Sequence, residues 1–160
     1  MSYLNSLLLY QDKPEYGLLL KLIILIVPGG LLAASVYLLL SGEDVGGLVM
    51  LVEVFIIGLI FWCVFPRMYQ VYEDHIRIVL GGPFSVKVGF DDIKAIRITN
   101  NLIVSVNFVT KLTKNYVAIS KKKGFPITIT PNDFEQFTEN AYSALSQWKR
   151  QTQTKKKDYS

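Results

Sequence analysis

Few side chains in this sequence could do chemistry, and they are scattered. The only histidine, His75, follows Asp74 directly, a pairing in which a carboxylate can orient an imidazole as general base. No nucleophile or third orienting group accompanies them, so His75 reads as a surface histidine on the outer face of a strand start. The only cysteine, Cys63, lies inside an apolar run and offers neither a disulfide framework nor a metal cluster. Gly81-Gly82 lacks the spacing and following helix of a phosphate loop and reads as a β-turn. No catalytic residue, metal site or cofactor is expected.

Two sets of charged residues remain. Glu53 stands within a long apolar run, where an ionised carboxylate costs about a few kcal/mol on insertion scales. It could be protonated and hydrogen-bonded across a helix interface. With Pro28-Gly29-Gly30 supplying a kink and close helix approach, it could instead form half of an oligomeric proton or ion path. The second set is Lys111, Lys114, Lys121, Lys122 and Lys123, on expected connections between strands. These cations would meet anionic head groups or an acidic partner. The plainer reading is solvated turns whose charges protect a sheet edge.

The elements that must carry these residues differ sharply along the chain. Leu18–Leu40 and Val45–Phe65 are apolar runs holding one charge each, Lys21 and Glu53, and Ser41-Gly42-Glu43-Asp44 separates them. A helix over the first run would be about 35 Å long, enough for a hydrocarbon core of about 30 Å. So short a connection can only reverse the chain, which predicts two antiparallel transmembrane helices over 18–65. Apolar residues continue past Ala33-Ala34-Ser35, so this small-residue stretch is not a signal cleavage site. Before Arg67 there are two lysines against five acids; from Arg67 onward there are 15 Lys and Arg against eight acids, which gives the net charge of +4. Glu43 and Asp44 mark the hairpin tip, while Lys13, Lys21, Arg67 and Arg77 flank its base. Basic flanks stay inside, so both termini are expected in the cytoplasm of a multi-pass inner-membrane protein. Residues 1–17 form a cytoplasmic segment whose Tyr3, Leu4, Leu7 and Leu8 suit either a short interfacial helix or an unstructured tail.

Beyond Arg67 the period changes to two. Ile76, Ile78 and Leu80 alternate with His75, Arg77 and Val79, and Phe84, Val86, Val88 and Phe90 with Ser85, Lys87 and Gly89. Leu102, Val104, Val106 and Phe108 repeat the pattern, which predicts an antiparallel sheet with one core face. About seven strands are expected, near 69–73, 75–80, 84–90, 94–99, 102–109, 115–120 and 126–130. A helix follows, with Thr130 as N-cap, Pro131 in its first turn and a stripe of Phe134, Phe137, Ala141, Leu145 and Trp148 against the sheet. The domain covers 66–150, and 151–160, with Lys155-Lys156-Lys157, is expected to be a basic disordered tail.

The segment from Tyr69 to about Trp148 resembles the bacterial pleckstrin-homology-like (PH-like) domains, which often follow one or two membrane spans. The resemblance rests on Val71-Tyr72-Glu73-Asp74-His75-Ile76-Arg77-Ile78, on Gly81-Gly82-Pro83 and on Val88-Gly89-Phe90-Asp91-Asp92-Ile93-Lys94-Ala95-Ile96. It ends with Ile127-Thr128-Ile129-Thr130-Pro131 leading into Asp133-Phe134-Glu135-Gln136-Phe137. It implies a membrane α-helical hairpin followed by a mainly-β, partly open barrel of two sheets plugged by the C-terminal helix. It also implies a binding module, not an enzyme: a membrane-anchored adaptor or assembly module whose partners are proteins or further copies of itself. Phosphoinositide-binding members usually carry basic residues around a long first loop. Here that connection is the tight, acidic Glu73-Asp74, so no such site is implied. The bilayer is the other expected partner, with nonspecific contact to anionic lipid; no nucleic-acid motif is visible. The alternative is a small subunit of a transport or channel assembly with Glu53 at a helix interface.

Overall fold

The computed structural model describes residues 6–100, 105–113 and 115–157, the last three as backbone alone. Among the described residues the elements run β1 (Leu8–Asp12), α1 (Leu18–Leu40), α2 (Asp44–Val64), β2 (Met68–Tyr72), β3 (His75–Val79), β4 (Ser85–Gly89), β5 (Ile93–Thr99), β6 (Val106–Phe108), β7 (Tyr116–Lys121), β8 (Ile127–Ile129) and α3 (Phe134–Lys157).

Helices α1 and α2 are long and apolar enough to cross a membrane, and of their residues only Ser35 and Gly47 are buried. Their connection ends α1 with Gly42 in the left-handed region, φ 83°. There the Glu43 N–H donates to Leu38 O and the Gly42 N–H to Leu39 O, the Schellman pairing that satisfies carbonyls at a helix end. The helices meet most closely near this tip. Ser35, fully buried, donates its hydroxyl to Gly47 O at 2.7 Å, and a Cβ on Gly47 would lie 2.5 Å from Leu39 Cγ. The approach expected at Pro28-Gly29-Gly30 is not made within the hairpin, since a Cβ on Gly29 or Gly30 would meet nothing within 4 Å. The short turn forces close contact at the tip, and Leu31, Pro28, Ile24 and Leu20 of α1 stay partly buried below it.

The strands form two four-stranded sheets, ordered β1-β2-β3-β4 and β5-β7-β8-β6. Strand β4 does not pair with β5, so the barrel is open. The expected seven strands are present, with an eighth, β1, ahead of the hairpin. Instead of lying as a helix or tail, Leu8–Asp12 pairs antiparallel with β2, Asp12 opposite Tyr69 and Leu8 opposite Tyr72. The hairpin is thus inserted between two adjacent strands of one sheet. A second departure concerns β6, which runs parallel to β8, so the second sheet is mixed, not purely antiparallel. Val106 is exposed there, while Phe108 packs against the core. Leu102 and Val104 lie outside the described residues.

The core lies between the sheets and under α3. Tyr69, Val71, Ile76, Ile78, Phe90, Ile93, Val117, Ile119, Ile129 and Phe137 are completely buried. From the expected stripe, Phe137, Ala141 and Leu145 are buried, and Phe134 and Trp148 pack partly against them. The helix starts later than expected. Asp133, not Thr130, caps it, its Oδ1 accepting the Gln136 N–H at 2.9 Å, and Pro131 bridges Pro14 outside the helix. The residues expected to be disordered are helical through Lys157. Once a helix is nucleated by packing, extension through Gln, Lys and Arg adds one hydrogen bond per residue fixed.

Candidate functional site

The base of the hairpin is locked to the domain by backbone contacts. The Gly17 N–H donates to Thr110 O at 2.8 Å, and the Glu15 N–H to Thr130 O at 3.1 Å. Thr110 and Thr130 are buried but satisfied. The Thr110 N–H donates to Thr130 Oγ1, and the Thr110 hydroxyl to Glu15 O at 2.7 Å. On the other side, Tyr16 donates its hydroxyl to Pro66 O at 2.6 Å and sets its ring edge-on to Phe65. Burial raises the Tyr16 pKa, with the Arg67 charge opposing it. Gly81, buried in the β3–β4 turn, sits against the end of α2, where a Cβ would overlap the Trp62 carbonyl. The Arg67 N–H donates to Val79 O at 2.7 Å while its guanidinium lies over the Trp62 ring.

Of the clefts at this base, two share Tyr16 as a wall. One, about 650 Å³, is polar and includes Asp12, Lys13, Glu15, Lys21 and Asn132. The other, about 440 Å³, lies between the helices and is lined by Ile24, Pro28, Gly58, Phe61, Trp62 and Arg67. The carboxylates near the first are engaged. Asp12 accepts the backbone N–H groups of Lys13 and Asp133, and Glu15 pairs with Lys111.

The lysines singled out from the sequence do not form one patch. Lys111 is at the hairpin end, its Cα 3.2 Å from where a Cβ on Gly17 would lie. Lys121 is at the opposite end of β7, about 17 Å from Tyr116 by strand rise. It pairs with Asp92 at 3.0 Å, and Lys122 and Lys123 are exposed beside it. Lys114 lies outside the described residues. Strand β5 is an edge, paired only with β7 among the described strands, and it exposes Lys94, Ala95, Arg97 and Ile98. A shallow cleft of about 260 Å³ joins Lys94 and Arg97 to Lys121 and Pro126.

His75 is not on the outer face. It is 2 % exposed, stacked on Tyr72 with centroids 4.5 Å apart, and its Nδ1 is 2.6 Å from Asp74 Oδ1. The expected alternation fails because the tight turn folds Tyr72 over the imidazole. Burial alone would raise the Asp74 pKa, but hydrogen bonds from His75 and Ser6 outweigh it and hold the carboxyl below its ordinary value. Glu53 is exposed on α2 and lines neither cleft, so within one chain the hairpin gives it no enclosed path.

Tyr16, Trp62, Arg67, Thr110 and Thr130 escaped attention as site residues. The readable signal was Tyr16 before one apolar run and Trp62 with Arg67 at the end of the other, the aromatic and basic girdle usual at a bilayer surface. Residues 67–141 match the family model described as Bacterial PH domain. No curated protein and no solved structure matches the chain.

Proposed function

We propose that this chain, in which residues 67–141 form a bacterial PH domain preceded by a hairpin of two apolar helices, is a membrane-anchored adaptor. On this reading the hairpin crosses the inner membrane with both termini cytoplasmic, and the domain binds proteins at the inner face. The charges agree with that direction: Lys13, Lys21 and Arg67 surround the base, and Glu43 and Asp44 the tip. Two exposed apolar side chains on loops beside the hairpin suit a bilayer surface at this end of the domain. Phe84 shares an apolar cleft with Cys63 and Val64, and Leu112 shares one with Leu19 and Ile23.

The open β5 edge carries the adaptor reading. It is the longest of the described strands, its exposed residues are Lys94, Ala95, Arg97 and Ile98, and an extended acidic segment could add to it as a further strand. The family is generally a non-catalytic module. A photo-crosslinking residue in place of Ala95 should yield discrete protein adducts in native membranes, and Lys94→Glu with Arg97→Glu should remove them. Adducts that persist through the charge reversal, or that contain lipid alone, would refute a β5 docking edge.

A further inference from the structure

The two clefts that share Tyr16 at the hairpin base differ in chemistry, one lined by charged side chains that include two lysines, the other mainly apolar and between helices. Their boundary falls where α1 begins. The apolar groove reaches down to Pro28, ten residues past Leu18, or about 15 Å along the helix. That is about half of a hydrocarbon core, the depth of one leaflet. It lies between the partly buried Ile24 and Pro28 of α1 and Phe61 of α2, where Gly58 has no side chain to fill it.

The charge at its mouth is net positive. Asp12 is occupied by two backbone N–H groups and Glu15 by Lys111. Among the described residues Lys13 and Lys21 have no ion-pair partner, and Arg67 lies over Trp62 at the mouth of the groove. Lys13, Lys21 and Arg67 therefore outnumber Asp12, the carboxylate at the opening that no cation pairs among the described residues.

We infer that this base seats one anionic phospholipid, an acyl chain in the groove between α1 and α2 and its phosphate-bearing headgroup against Lys13, Lys21 and Arg67. Tyr16 separates the two parts. The inference rests on the proposed bilayer-spanning hairpin, since only there would the groove open to a leaflet. It differs from loose attraction by the distal lysines, which are at the other end of the domain.

Trp62 lines the groove and reports on it directly; the other tryptophan, Trp148, packs on Phe90 in the domain core. The full chain is reconstituted in phosphatidylcholine vesicles containing a minor fraction of either brominated phosphatidylglycerol or brominated phosphatidylcholine. Brominated phosphatidylglycerol should quench Trp62 at several-fold lower content. Lys13→Gln and Lys21→Gln should each reduce that preference, by roughly fivefold per near-surface cation. Gly58→Leu, whose Cβ meets nothing within 4 Å, should fill the groove without disturbing the fold and lower quenching by phosphatidylglycerol to the phosphatidylcholine level. Equal quenching by both lipids, or a preference untouched by all three substitutions, overturns the lipid seat and leaves the spanning hairpin standing. A preference abolished by free glycerol phosphate means that the cleft takes a soluble anion, and also overturns it. No quenching by either lipid overturns the spanning hairpin, and the seat with it.

Discussion

Gly81→Ala tests whether the domain is clamped to the hairpin or only linked to it. Gly81 does not lie in the left-handed region, so alanine is allowed there by backbone conformation. The added Cβ is what cannot be accommodated. It overlaps the Trp62 carbonyl oxygen, comes within 2.5 Å of the carbonyl carbon and lies 3.2 Å from the Cys63 nitrogen. These are backbone atoms in the last turn of α2, which cannot swing aside as a flexible side chain would. Relief requires the β3–β4 turn to back away by more than an ångström, which stretches the hydrogen bond from the Arg67 N–H to Val79 O beyond its range. Overpacking of this kind costs about 1–3 kcal/mol and the lost hydrogen bond about 0.5–1.5. Docking should thus weaken by about 2–4 kcal/mol, and amide exchange at Arg67 should accelerate by about two orders of magnitude. Gly82→Ala is the control. Its Cβ would be 3.8 Å from the Trp62 ring, but φ is 63°, so its cost is about 1–2 kcal/mol of local backbone strain. Hydrogen-exchange mass spectrometry on the reconstituted protein reads both. Unchanged Arg67 protection in Gly81→Ala, or a larger loss in Gly82→Ala, would refute the clamp.

Two further predictions address the tip and the distal turn. Ser35→Ala removes the buried hydroxyl donor to Gly47 O and should weaken the helix pair by about 0.5–1.5 kcal/mol, whereas Gly47→Val should force the tip apart against Leu39; spin labels at Tyr37 and Val45 would report a wider distance distribution only for Gly47→Val. Asp74 has a folded pKa below its ordinary 3.8, so its contribution to stability is present above about 3.8 and is lost as pH falls through the folded value; Asp74→Asn should flatten that part of the stability–pH curve, and an unchanged acid limb would dismiss the Asp74–His75 contact as its source.

Long uniform signals were legible in the sequence, and single close contacts were not. The apolar runs matched α1 and α2 to within a residue, and the period-two segments found seven strands, because each pattern repeats over many residues. Strand β1 was missed for the opposite reason. It is short, and its pairing partner β2 lies beyond the whole hairpin, so no local pattern reports it. His75 was misplaced because alternation assigns faces without knowing that a two-residue turn would stack Tyr72 on the ring. Thr130 looks like a cap by type, yet its hydroxyl is taken by Thr110, and Asp133 does the capping. The lysines were grouped by charge alone, and pairing then put Lys111 and Lys121 at opposite ends of the domain.

The position of β1 changes what the hairpin does for the domain. A module joined to one helix end could swivel about that link. Here the chain leaves the first sheet at Asp12, makes the hairpin and returns at Met68, so the two connections attach to adjacent strands about 5 Å apart. The first is held by the Gly17–Thr110 and Glu15–Thr130 hydrogen bonds, the second by Arg67–Val79 and by Gly81 against Trp62. Rotation about either connection would break the other. The domain must therefore keep one orientation to the hairpin, with Phe84 and Leu112 beside the helices and Lys121–Lys123 at the far end. Closing the sheet also requires β1 to wait for β2, so the first sheet can be completed only after the entire hairpin has been made. A hairpin serving only as an anchor would need neither constraint. Two connections held on both sides are what a fixed presentation of the β5 edge would require.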